Sequence, residues 1–165
     1  MIAMLDQDKF NQTAKRRSAE NKKFLHKLKQ REPRKVDEAF HSLHEEVFEE
    51  INCLTCANCC KTTSPIFYTN DIERIAKGMR MKPGTFVETY LRIDDDNDYV
   101  LKSSPCPFLD AENYCVIYED RPKACREYPH TDRKKMVQIT ELTHRNTLVC
   151  PAVLEIVERL KRIIA

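Results

Sequence analysis

Four cysteines fall within eight residues in the stretch CLTCANCC: Cys53, Cys56, Cys59 and Cys60. Thiols this close can pair as disulfides, hold metal, do redox chemistry or simply pack. The C-x2-C-x2-C spacing lets the chain wrap so that successive sulfurs face one centre, with backbone N–H groups turned toward them. Cys59 and Cys60 are neighbours whose side chains diverge, so one of them turns to a second centre or bridges two. The other four of the eight thiols lie far along the chain, in PCPFL (Cys106), YCVIY (Cys115), ACREYP (Cys125) and VCPAV (Cys150). Eight is twice the four thiolates that close a tetrahedral zinc site or an iron–sulfur cluster. Centres sharing ligands from both groups would staple the fold.

The competing readings are weaker. At 165 residues the chain can bury roughly two-thirds of its surface, so it needs no cross-links to hold a core. The start, MIAMLDQDKF, lacks the apolar stretch and small-residue cleavage site of a secretory signal, and no run approaches a membrane span. A cytoplasmic location with reduced thiols is expected. No C-x-x-C opens a helix within a βαβ pattern, which sets aside a thioredoxin-type pair. The sequence has two glycines, Gly78 and Gly84, too few for a dinucleotide or P-loop motif. Left-handed turns must therefore use other residues, and Asn58, Asn97 and Asn113 are the candidates. A net charge of +2 makes no case for nucleic acid or membrane.

The expected fold is mainly α with a minor short β pair. It is a small single domain stapled by Cys-ligated metal centres, residues 50–165, preceded by a charged helical arm or hairpin, residues 1–49. Residues 1–35 carry eleven Lys/Arg against four Asp/Glu, with sparse apolar positions at Leu5, Phe10, Ala14, Phe24, Leu25 and Leu28. Pro33 breaks this helix. Residues 36–50 hold six acids and no Lys or Arg, and Val36, Phe40, Leu43 and Val47 form a helical stripe. The arm is the expected contact surface for a protein partner. It has no interleaved aromatics for base stacking, so nucleic acid is not expected. Asn70 with Glu73 reads as a capping signature for a helix with Ile72, Ile75 and Ala76 inward. MKPGTFVETYLRI reads as a second helix with Phe86, Val87, Tyr90 and Leu91 inward. YVLKS and YCVIY read as paired short strands. DDDND starts like a calcium loop, but Tyr99 replaces its glycine and Pro105 its glutamate. RPKACREYP is a turn of helix. PAVLEIVERLKRIIA is an amphipathic helix with Pro151 in its first turn and Val153, Ile156, Leu160 and Ile163 on one face.

Thiolates gathered on a metal leave net negative charge, which calls for nearby cations and N–H donors. Arg121, Lys123 and Arg126 flank Cys125, and Lys61 follows Cys60. Arg121 and Arg126 are the candidates for this screening, with ion pairs to Glu119, Asp120 or Glu127 as the alternative. His130 is a spare candidate ligand, with capping of its turn or a solvent-facing position as the preferred reading. His26, His41, His44 and His144 read as capping or solvent-facing.

The pattern CxxCxxCC…CPFL…CxIYxxRPxxCRxYP…C, spanning residues 50–152, resembles the YkgJ-like cysteine-cluster family. The resemblance implies a zinc- or iron-chelating domain with Cys53, Cys56, Cys59, Cys60, Cys106, Cys115, Cys125 and Cys150 as metal ligands. A flagellin lysine methylase carries a related segment in a longer chain. That makes a cluster-dependent protein-modifying enzyme an alternative function, although this chain shows no cofactor loop or separate substrate domain. The Cys-Pro steps at Cys106 and Cys150, with three cysteines in C-x2-C-x2-C, favour an iron–sulfur cluster, [4Fe–4S], over Zn²⁺. The expected role is redox, sensing or structural, with a zinc-stapled interaction module as the further alternative.

Overall fold

The computed structural model describes residues 6–164. Leu5 lies outside the described residues. The chain is mainly helical with one short antiparallel strand pair, as expected. It divides into two compact units: Met1–Thr55 with Pro129–Ala165, and Cys56–Tyr128. Composition draws a boundary at residue 49. Contacts draw it at 55 and again at 128, because the N-terminal helices share a core with the C-terminal one.

In the first unit, α1 (Gln7–Leu28) starts at Asp6, whose carboxylate accepts the N–H groups of Asp8 and Lys9 at 3.1 Å. Pro33 opens α2 (Pro33–Glu50), where its missing N–H costs nothing. The stripe Val36, Phe40, Leu43 and Val47 is buried throughout. It packs with Leu25, Leu28 and Met136 against Val153, Ile156, Val157 and Leu160. Ile163 is 62% exposed, so the inward face of the last helix ends one turn earlier than its periodicity suggests.

The two N-terminal helices do not pair chiefly as a hairpin. One more helix stands between Thr140 and Thr147, and α1 packs on it while α2 packs on the helix Pro151–Ile164. The Thr140–Thr147 helix has no apolar stripe. Its buried face is Thr140, Thr143, Asn146 and Thr147, which periodicity of hydrophobic residues cannot reveal. Three of the histidines tie this unit together. His144 Nε2 meets Ser18 Oγ at 3.0 Å, His44 Nδ1 meets Thr131 Oγ1 at 2.7 Å, and His41 Nε2 meets the Arg133 carbonyl at 2.8 Å.

The second unit follows one helical turn, α3 (Cys53–Cys56), at which the chain leaves the first. Its elements are α4 (Asn58–Thr62), α5 (Thr69–Gly78), α6 (Pro83–Tyr90), β1 (Leu91–Ile93), β2 (Tyr99–Leu101) and α7 (Lys123–Glu127). The two remaining helices, both in the first unit, are α8 (Thr140–Thr147) and α9 (Pro151–Ile164). Phe67, Ile72, Ile75, Phe86, Leu91, Leu101 and Phe108 form this unit's core.

The strand pair differs from the expected one. β1 pairs with β2 in the register Leu91↔Leu101 and Ile93↔Tyr99, across the DDDND turn. Asp94 Oδ1 accepts the N–H groups of Asp96 and Asp98 at 3.0 and 2.9 Å, and Asn97 takes the left-handed φ of 67°. YCVIY contributes one isolated bridge, Leu109↔Cys115, and then turns into a short 3-10 segment. Helix α5 begins at Tyr68, two residues before the Asn70 signature, because the Asp71 carboxylate accepts the Tyr68 N–H at 3.0 Å. Asn113 has the expected left-handed φ, but Ala57 takes the one assigned to Asn58.

Burial sets a direct contrast on α9. Ile156→Ala should cost about 2–5 kcal/mol in urea unfolding, whereas Ile163→Ala should cost about 0.5 kcal/mol or less. Equal effects would contradict the position of the α9 face.

Candidate metal centre

No disulfide joins the eight cysteines. Cys53 is exposed and the other seven are half-buried. Cys53 and Cys150 belong to the first unit, and the other six to the second. Cys53 and Cys56 bound α3, while Cys59 and Cys60 lie side by side on α4. Cys150 precedes α9; its N–H donates to the Asn146 carbonyl at 2.8 Å, and its side chain packs on the first unit's core.

Within the second unit, the backbone joins the cysteine-rich turn to residues far along the chain. The Cys106 N–H donates to the Cys60 carbonyl at 2.8 Å. Cys106 and Cys115 both pack against the second core. Cys125 sits mid-way along α7.

Burial and mutual charge act together on four of these thiols. Burial pushes the Cys125 thiol up to about 12, and the negative charges of Cys60, Cys106 and Cys115 push in the same direction. Burial also raises Cys106, and Cys60 and Cys115 add to it. Burial raises Cys115 as well, again with a contribution from Cys60. Cys60, Cys106, Cys115 and Cys125 therefore lie in one charge field. Cys60 is the exception in sign. A hydrogen bond with the Cys59 side chain lowers it to about 7, against the effect of burial, and the Lys61 charge helps.

Two features of this group suit a metal–thiolate site. The Cys106 sulfur accepts the Phe108 N–H, and the Cys115 sulfur accepts the Ile117 N–H, so each receives a donor from two residues onward. Such donors stabilise thiolate charge. The second feature is Arg121, whose charge lowers both Cys115 and Cys125. Its guanidinium lies 3.8 Å above the Tyr118 ring, and its Nε is buried without an acceptor. Among the described residues, no three His, Cys, Asp or Glu side chains converge closely enough to hold an ion. The four thiols share a field without closing on one point.

Helix α5 holds the Arg121 turn in place. Arg74 Nη2 donates to the Arg121 carbonyl at 2.9 Å and the Asp120 carbonyl at 3.3 Å, while also bonding Asp71 Oδ1 at 2.8 Å. The Asp120 carboxylate lies close over Gly78, where a Cβ would oblige that side chain to shift. Sequence reading missed Arg74 and Asp71, since both resemble ordinary helix-surface charges. Asp71 is only 2% exposed. Burial opposes its ionisation, but bonds from Arg74 and from the Tyr68 and Lys123 N–H groups outweigh that and hold it below the usual range. Arg126, the other arginine assigned to the thiols, lines a cleft with Tyr68, Asn70, Asp71, Arg74 and Lys123.

Comparison with known protein families gives one match: the model for CxxCxxCC, described as "Putative zinc- or iron-chelating domain", fits residues 52–151. No curated protein and no solved structure matches the chain significantly.

The opposed shifts of Cys60 and Cys125 give the metal-free protein a characteristic pH response. The ordinary thiol value is about 8.5. Cys125, raised on folding, contributes stability below that value and loses it as pH rises toward 12. Cys60, lowered on folding, contributes above that value and loses it as pH falls through 7. Chelator-stripped, reduced protein should therefore be most resistant to urea between these limits, and Cys125→Ser should lessen the alkaline loss. A profile above pH 8.5 identical in both proteins would contradict this.

Proposed function

The chain belongs to the CxxCxxCC family, and from that premise we propose that it is a cytoplasmic metal-binding protein with a four-thiolate centre held by Cys60, Cys106, Cys115 and Cys125. The feature that carries this is the grouping of four half-buried thiols: burial first, and then the charges of Cys60, Cys106 and Cys115, act together on Cys125. A cation placed among them would add an attraction to each thiolate that outweighs this repulsion and favours the charged form. The donor set fits: four sulfurs, three N–H groups (Phe108, Leu109 and Ile117) aimed at sulfur, and an arginine against the surplus charge. Metal binding at such a site is coupled to the folding of the second unit.

Cys53, Cys56, Cys59 and Cys150 are the remaining proposed ligands. The Cys59 side chain hydrogen-bonds to Cys60, so the two sulfurs lie together rather than diverging, and Cys59 is proposed to bridge to a second centre or serve it. An iron–sulfur cluster is the preferred occupant, on the Cys-Pro steps and on the scatter of thiols outside the C-x2-C-x2-C run. Bound here, such a cluster supplies one-electron chemistry, whereas zinc supplies a redox-silent staple. Zinc has one observation in its favour: four thiols leave a tetrahedral ion no open position, as in structural sites. The charged solvent faces of α1 and α2 are the proposed contact surface for a protein partner.

Structural metal contributes on the order of 10 kcal/mol or more, comparable to the stability of a domain. Cys125→Ser should therefore lower the metal bound per chain and loosen the second unit. The test is elemental analysis, visible absorption and melting of protein purified without oxygen. Brown protein that bleaches with oxidant identifies iron–sulfur, and colourless protein carrying zinc identifies the staple. Full metal content and unchanged melting in Cys125→Ser would overturn the ligand assignment.

A further inference from the structure

We propose that the second unit carries a binding cleft for a small phosphate monoester, built from Arg74, Lys123 and Arg126 with Tyr68 at its edge. The cleft has a volume of about 430 Å³ and is lined by these residues together with Asn70 and Asp71. Its charge balance is positive. Asp71 is the sole carboxylate in the lining, and its charge is already engaged by Arg74 and by the N–H groups of Tyr68 and Lys123 at 3.0 and 3.1 Å. Lys123 has one loose, exposed pair, with Glu127 at 3.7 Å, which contributes little. The Arg126 backbone N–H donates to the Pro122 carbonyl at 3.1 Å, while its guanidinium makes no hydrogen bond or ion pair with any described residue.

The cations differ in stiffness. Arg74 is fixed through Nη2 by three acceptors, and its Nε is buried without one. It provides a preorganised positive wall, while Lys123 and Arg126 are left to close on a ligand. A guanidinium presents paired donors that match phosphate oxygens, and a dianion answers this surplus of cations better than a monoanion does. The start of α5, a ten-residue helix lining the same cleft through Asn70, adds its partial positive charge. The cleft has room for more than an inorganic ion. Tyr68, 53% exposed, offers a ring against which an organic group can lie.

The test is calorimetric titration of the full, metal-loaded chain with phenyl phosphate, inorganic phosphate and benzoate. Phenyl phosphate should saturate one site and bind more tightly than inorganic phosphate, with benzoate weakest. Arg126→Gln should weaken phenyl phosphate about tenfold or more while keeping its metal, and Arg126→Lys should recover part of that. Tyr68→Ala should abolish the advantage of phenyl phosphate over inorganic phosphate. No saturable binding, benzoate binding as well as phenyl phosphate, or unchanged affinity in Arg126→Gln would overturn the proposal. So would loss of metal in Arg126→Gln, which would return this side chain to screening the thiolates. Failure of the cleft leaves the metal centre untouched, since metal content is read separately.

Discussion

Four half-buried sulfurs in one charge field are the constraint on which the second unit turns. Burial penalises each negative charge, and their mutual repulsion adds to it, so Cys106, Cys115 and Cys125 are pushed toward the neutral thiol. The chain nevertheless directs N–H groups at two of the sulfurs and keeps Arg121 close to two. Those groups favour thiolates. An arrangement that raises thiol pKa by burial and also supplies thiolate stabilisers is inconsistent as a plain core. It is consistent as a metal–thiolate site, which is the function proposed for it.

The surrounding fold brings that group together from distant parts of the sequence. A backbone bond from Cys106 to Cys60 ties the cysteine-rich turn to the loop after β2. The apolar core beneath, with Phe86 and Phe108 stacked at 6.0 Å between centroids, carries Cys106 and Cys115 on its edge. Helix α5 then positions the Arg121 turn through the bonds from Arg74 to the Asp120 and Arg121 carbonyls. Packing, capping and thiol electrostatics thus converge on one side of a small unit. The first unit has its own logic: an apolar α2–α9 seam and a polar α1–α8 contact organised by threonine, asparagine and histidine.

Much of this was legible in the sequence where apolar residues recur at helical spacing. The α2 stripe, the α9 face and the inward residues of α5 and α6 follow from periodicity, and Asn97 and Asn113 from the backbone tolerance of asparagine. The partner of β2 was not legible, because Leu91–Ile93 reads as the tail of a helix until the Asp94 turn closes it into a hairpin. Helix α8 was hidden by its polar buried face. At the site, the spacing announced metal, but the pairing of thiols depends on tertiary contacts, and so it could not be read. Arg121 and Arg126 looked equivalent beside Cys125. Yet Arg121 acts on the thiols, while Arg126 faces a cleft with Arg74.

The central claim, that sulfur from this group holds the metal, is tested most directly by X-ray absorption at the edge of whichever metal accompanies the intact protein kept from oxygen. The account predicts a first shell of sulfur at about 2.3 Å, reduced in occupancy when Cys60, Cys106, Cys115 and Cys125 are replaced together by serine. A first shell of nitrogen and oxygen alone, unchanged by that replacement, would contradict it.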